Sequence, residues 1–169
     1  MTDVDICNLA LLDLGQPAIG AIDNTTKAGR AFEVGYEPTL QELLRDHPWN
    51  FARKRIVLAP DPTVPAFDWD NRFKLPSKCV RVLEVNDALT KYKVEGRYLL
   101  VNDTAPEVIY IERVDESEFD PLFASAFAAV LAARLCIHMT DNASAVQQLL
   151  AVAKDKLDAA KATNALEVP

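Results

Sequence analysis

The sequence predicts an α+β protein: an antiparallel helical bundle built from both chain ends, with a small antiparallel β-sheet inserted between its halves. Apolar residues recur at helical spacing before residue 53 and again after residue 115. Between those stretches, short runs of β-branched and aromatic residues alternate with turn residues. Half of the 169 residues are hydrophobic and 25% are charged, which is too apolar for a disordered chain and ordinary for one soluble domain. The expected division is 1–53, the first half of the bundle; 54–114, the β-rich insertion; and 115–169, the second half with a short C-terminal tail.

A first helix is expected from near Val4 to Leu14. Thr2 or Asp3 can cap its start, and Gly15 can take the left-handed stop conformation. Val4, Cys7, Leu11 and Leu14 share one stripe at 100° per residue, flanked by Ile6 and Ala10. Leu9 and Leu12 fall on the other side, among Asp5, Asn8 and Asp13. A second helix opens after Asp23-Asn24-Thr25 and runs from Lys27 to about Asp46. Pro38 should kink or break it, because proline lacks the amide hydrogen and crowds the preceding turn. His47-Pro48 ends it, and Trp49 and Phe51 are the expected structural anchors of this exit.

Candidate strands in the insertion are 55–58, 72–75, 80–85, 91–94, 98–101 and 108–113. A two-residue hairpin at Glu95-Gly96 would place Tyr92 opposite Leu99. Asp120-Pro121 then signals a helix to about Met139, capped by a carboxylate and entered through proline. Apart from Arg134 this helix is uncharged and apolar all round, with six alanines that allow close approach. It nears the length of a membrane span, but an enclosed bundle helix is expected and no membrane partner. Asp141 or Ser144 should cap a last helix to about Ala162, its stripe being Val146, Leu149, Leu150, Ala153, Leu157 and Ala160.

Net charge is −7, and residues 59–119 carry −4 of it. That balance disfavours a generic nucleic-acid binder. Three scattered cysteines fit a reducing compartment, and the acidic start does not look like an export signal. His47 and His138 lack ligand-spaced companions, Cys136 and His138 face apart on a helix, and Asp61, Asp68 and Asp70 lack the spacing of a calcium loop. Five glycines include no phosphate-cradling loop. No catalytic residue, cofactor or metal site is therefore expected, although an enzyme with a site assembled from distant residues stays an alternative. Arg53-Lys54-Arg55 reads either as a solvated run or as a contact for an acidic neighbour or a nucleic-acid backbone. Leu9, Leu12 and the all-round apolar helix leave surplus apolar surface. Such surplus fits subunit contacts, or a first helix that touches two neighbours within its own bundle.

Several stretches together resemble a known family. They are Ile6-Cys7-Asn8-Leu9-Ala10-Leu11-Leu12 with Gly15, Lys27-Ala28-Gly29-Arg30-Ala31, and Leu43-Leu44-Arg45-Asp46-His47-Pro48-Trp49-Asn50-Phe51-Ala52. Leu75-Pro76, Cys79-Val80-Arg81-Val82, Tyr92-Lys93-Val94-Glu95-Gly96-Arg97 and Phe119-Asp120-Pro121-Leu122-Phe123 continue the series. In this order, over nearly the whole chain, they resemble the head-to-tail adaptor (tail tubular protein A) family of short-tailed bacteriophages. The resemblance implies a structural virion protein of the tail or neck, assembled in the host cytoplasm and lacking cofactors. It implies a ring, commonly of twelve subunits, joining the portal protein to the tail nozzle protein, through which genomic DNA passes without specific binding. Another neck or head-completion subunit is the alternative within structural proteins. A ring closes through head-to-tail contacts, so each subunit needs two different faces. Leu9 and Leu12 could supply one, and Arg53 and Arg55 meeting a neighbour's acidic insertion could orient the other. Family members dock on the portal through the C-terminal region, which makes Leu166 and Val168 the docking candidates here.

Overall fold

The structure, a computed structural model, describes residues 1–167. It is an α+β fold with four α-helices and two three-stranded antiparallel sheets among those residues. The chain forms two compact units: the helical unit takes Met1–Phe51 and the segment from Val114 onward, and the β unit is Ala52–Arg113. The first boundary thus falls after Phe51 rather than after residue 53.

In the helical unit, α1 spans Asp3–Asp13, α2 Lys27–Asp46, α3 Pro121–Thr140 and α4 Val146–Leu166. A capping box starts α1: the Thr2 hydroxyl accepts from Asp5 N, and the Asp5 carboxylate accepts from Thr2 N. Leu14 closes the helix, and Gly15 follows at φ +63°, where a side chain would be strained. Thr26 caps α2 by accepting from Gly29 N. The expected break at Pro38 does not occur. Pro38 and Val34 are both exposed, so the carbonyl that lost its amide partner faces water, and α2 continues through the proline.

The hub of this unit is α3. Asp120 caps it through Leu122 N and Phe123 N, and α1, α2 and α4 all pack against it. Its length and composition would suit a membrane crossing, but 67% of its most apolar window is buried inside the protein. Most of the surplus apolar surface expected on this helix is therefore covered by its three neighbours; Leu122 and Ile137 are the large exceptions. The α4 contact is close because small residues meet it, with Ala153 and Ala160 the most buried α4 residues. Leu150 lies outside the buried stripe, being 48% exposed.

Capping corrects the last helix. Asp141 ends α3 in the left-handed conformation, and Asn142 caps a 3₁₀ turn at Ala143–Ala145 that leads into α4. At the other end α4 continues to Leu166, four residues past the expected stop.

The β unit holds β1 (Arg53–Val57), β2 (Asn71–Lys74), β3 (Cys79–Val85), β4 (Tyr92–Glu95), β5 (Tyr98–Val101) and β6 (Glu107–Glu112). They form two sheets rather than one, ordered β1-β6-β3 and β2-β5-β4. Strand alternation sends Val85, Val108 and Tyr110 from the first sheet, and Phe73, Leu99 and Val101 from the second, into one shared core. A single sheet could not cover both of those apolar faces. The hairpin loop is Gly96-Arg97, so Tyr92 pairs with Val101 rather than Leu99. The turn moved by one residue and the partner by two, which leaves each side chain on its expected face. Gly96 takes φ +59° at the first loop position, as a II′-type turn demands.

Candidate subunit interface

In α1, the core face and the outer face are separated residue by residue. Ile6, Cys7, Ala10 and Leu11 have no exposed surface. Leu12, next to Leu11, is 73% exposed, and Leu9 is 37% exposed. The pair lines an open, mainly apolar hollow together with Met1, Asp5, Asn8, Gln16 and Ala18. Its far wall exists because Asn8 clamps the returning chain: Ile19 N donates to Asn8 Oδ1 at 2.8 Å, and Asn8 Nδ2 donates to Ile19 O at 3.1 Å. The sequence shows Asn8 as one more polar residue on the outer face. Its partner lies eleven residues away in an irregular segment, so no local spacing signals the clamp.

Trp49 is 1% exposed and sits at the centre of an aromatic cluster. Its ring centroid lies 4.8 Å from Phe123 in an edge-to-face arrangement, and Phe51 packs on Phe119 and Phe123 at 5.6 and 4.8 Å. The indole Nε1 donates to Leu43 O at 2.8 Å, tying the cluster to the last turn of α2. The same exit is fastened to the end of α4, where Asn50 N donates to Asn164 Oδ1 and Asn50 Nδ2 to Asn164 O, both at 2.8 Å. His47 caps α2 and meets Asn164 through Nε2, so its polar edge has a structural partner. These contacts explain why α4 runs on past Ala162. Leu166, at the end of α4 and 86% exposed, is a helical residue rather than part of a loose tail. Val168 lies outside the described residues.

In the β unit, Arg53 pairs with Ile111 and Arg55 with Ile109, which places both arginines on the sheet face away from the shared core. Neither makes a side-chain hydrogen bond or ion pair among the described residues, and the Arg53 Nε is buried without an acceptor.

The groups that could do chemistry are engaged or dispersed. All three cysteines are buried, and no disulfide joins them among the described residues. Burial, with help from the Asp3 and Glu116 charges, pushes the Cys7 thiol up to about 12, far from a nucleophilic thiolate at neutral pH. The Cys136 Sγ lies 3.5 Å from Asn142 O. Asp61 pairs with Arg72 at 2.8 Å and accepts from Thr63 N. Among the described residues no three His, Cys, Asp or Glu side chains converge as a metal site would require. Arg134, the charge on α3, bridges to α2 by donating to Thr39 Oγ1 at 2.7 Å and to Glu42. Thr39 is fully buried, and its hydroxyl is satisfied twice, since it also donates to Gly35 O.

No protein-family model matches this chain, and no curated protein matches it.

Proposed function

We propose that this chain is a structural virion protein, one subunit of a head-to-tail adaptor ring that joins a portal protein to a tail nozzle protein. One observation carries the proposal: Leu12 and Leu9 are held toward solvent on a helix whose opposite face is completely buried. Leu12, 73% exposed on a well-capped helix, adds little to the monomer's core. Burying Leu12 against another copy would be worth roughly 1.5–3 kcal/mol.

The net charge of −7 suits a channel through which DNA moves without being held, because an acidic wall repels phosphate. The arginines on the β unit provide a second face of different chemistry, as a closed ring of identical head-to-tail contacts requires. In this function the protein needs no cofactor and no catalytic residue. Antibody labelling of particles of the encoding phage tests it. Label should appear at the head–tail junction in electron micrographs, and particles free of the polypeptide would refute it.

A further inference from the structure

We infer that the outer edge of β1 takes up, as an added antiparallel strand, the 66–70 segment of a second copy of this chain. This rests on the proposed ring only in making the occupant a second copy. The bond from Leu58 N to Pro106 O fixes the phase of the β1–β6 ladder. Residues 54, 56 and 58 turn their backbone groups toward β6, and the N–H and C=O groups of Arg53, Arg55 and Val57 point the other way. That edge has no strand partner among the described residues, and Arg55, Ile56 and Val57 are exposed. An open edge of this kind is a template for strand addition.

The occupant follows from charge and spacing. Asp68 and Asp70 stand two residues apart, as do Arg53 and Arg55, and neither aspartate makes a salt bridge among the described residues, Asp68 feeling the Lys93 charge only at longer range while Lys93 pairs with Glu95. In antiparallel register Asp70 falls opposite Arg53 and Asp68 opposite Arg55, on one face. On the other face Phe67, 77% exposed in the free chain, falls opposite Ile56 and extends the apolar core at the open edge. The residues whose amides must bond to the edge are Ala66, Asp68 and Asp70, and none is proline.

The strand must come from another copy. Asp61 N bonds Arg72 O, and the Asp61 carboxylate pairs with Arg72, which fastens the start of this loop to β2. Within the free chain the segment is bent: Trp69 N bonds Phe67 O, Asp68 sits at φ +68°, and Asp70 N bonds Asn102 Oδ1. Strand addition exchanges these contacts for ladder bonds.

Two chains, each with one exposed cysteine added beside the three buried native ones, Ile56→Cys and Phe67→Cys, test the register when mixed under mild oxidation. The pair is a non-hydrogen-bonded one, with Cβ atoms roughly 4.5–5.5 Å apart, within or close to disulfide reach. With the two chains in equal amounts, the expected product is the mixed dimer well beyond the twofold excess over either homodimer that random pairing gives. Adding Arg55→Glu to the first chain should slow its formation about two- to fivefold, and adding Asp68→Lys to the second should restore it. A statistical mixture of dimers, or indifference to both charge changes, overturns the inference. The outcome is separate from the adaptor proposal: the disulfide can form in a chain that ignores the portal, and a portal-bound ring can assemble without it.

Discussion

Replacing Leu11 or Leu12 with alanine places the same chemical change on opposite sides of one helix. Leu11 has no exposed surface, so Leu11→Ala removes buried methyl groups and leaves a void, at about 2–5 kcal/mol. Leu12 is 73% exposed and projects into the open hollow beside Leu9, so Leu12→Ala should change monomer stability by no more than about 0.5 kcal/mol. Urea unfolding followed by circular dichroism separates the two. With a slope of about 2 kcal/mol/M, Leu11→Ala lowers the midpoint by about 1–2.5 M, and Leu12→Ala leaves it within about 0.3 M. Self-association should show the reverse order, with Leu12→Ala weakening contact between copies and Leu11→Ala acting only through stability. Equal destabilisation by both variants in dilute monomer would refute the reasoning, because Leu12 would then belong to the core.

Two glycines of α2 should respond in opposite directions to alanine. A Cβ on Gly29 would lie 2.2 Å from Asp23 O, so Gly29→Ala should destabilise by more than about 1 kcal/mol. At Gly35 the nearest atom would be Leu135 Cδ2 at 3.5 Å, and the gain in helix propensity should stabilise by about 0.5–1 kcal/mol in the same unfolding assay. Asn164→Ala removes the acceptor of Asn50 N and the partner of His47 Nε2 at the α2 exit and should lower stability by about 1–2 kcal/mol, seen as a lower melting temperature. The amide of Ala105, then Asn86 and the amide of Thr104, hold the Asp103 carboxyl below the usual carboxylate range. A depressed folded-state pKa stabilises above about pH 4 and loses that contribution as pH falls through the folded value, so Asp103→Asn should flatten the acid limb of a stability–pH curve. With its thiol raised to about 12, Cys7 should resist alkylation at pH 8.5 in the native chain and react on unfolding, as peptide mass spectrometry would show.

Local signals that act within a few residues were legible in the sequence. The Asp120-Pro121 start and the Lys27 start both fall where capping chemistry puts them. Contacts between distant segments were not. The continuation of α4 to Leu166 depends on Asn50 and His47 gripping Asn164, more than a hundred residues away in sequence. Two sheets in place of one depend on which strands pair, and alternation within a single strand does not encode its neighbour. Likewise, the leucines on the outer face of α1 were visible at helical spacing, whereas the hollow they line was not. That hollow needs the Asn8–Ile19 clamp, which no short pattern announces. Pro38 shows the converse limit: a strong local rule yields where the unpaired carbonyl reaches solvent.

Native mass spectrometry of the chain mixed with an assembled portal ring tests most directly whether the exposed flank of α1 joins identical copies. A portal complex carrying a full, fixed number of copies is the predicted result, with that number lost in Leu12→Glu while the variant's own fold is kept. A portal ring that stays bare, or one that is filled equally well by the glutamate variant, would contradict the account.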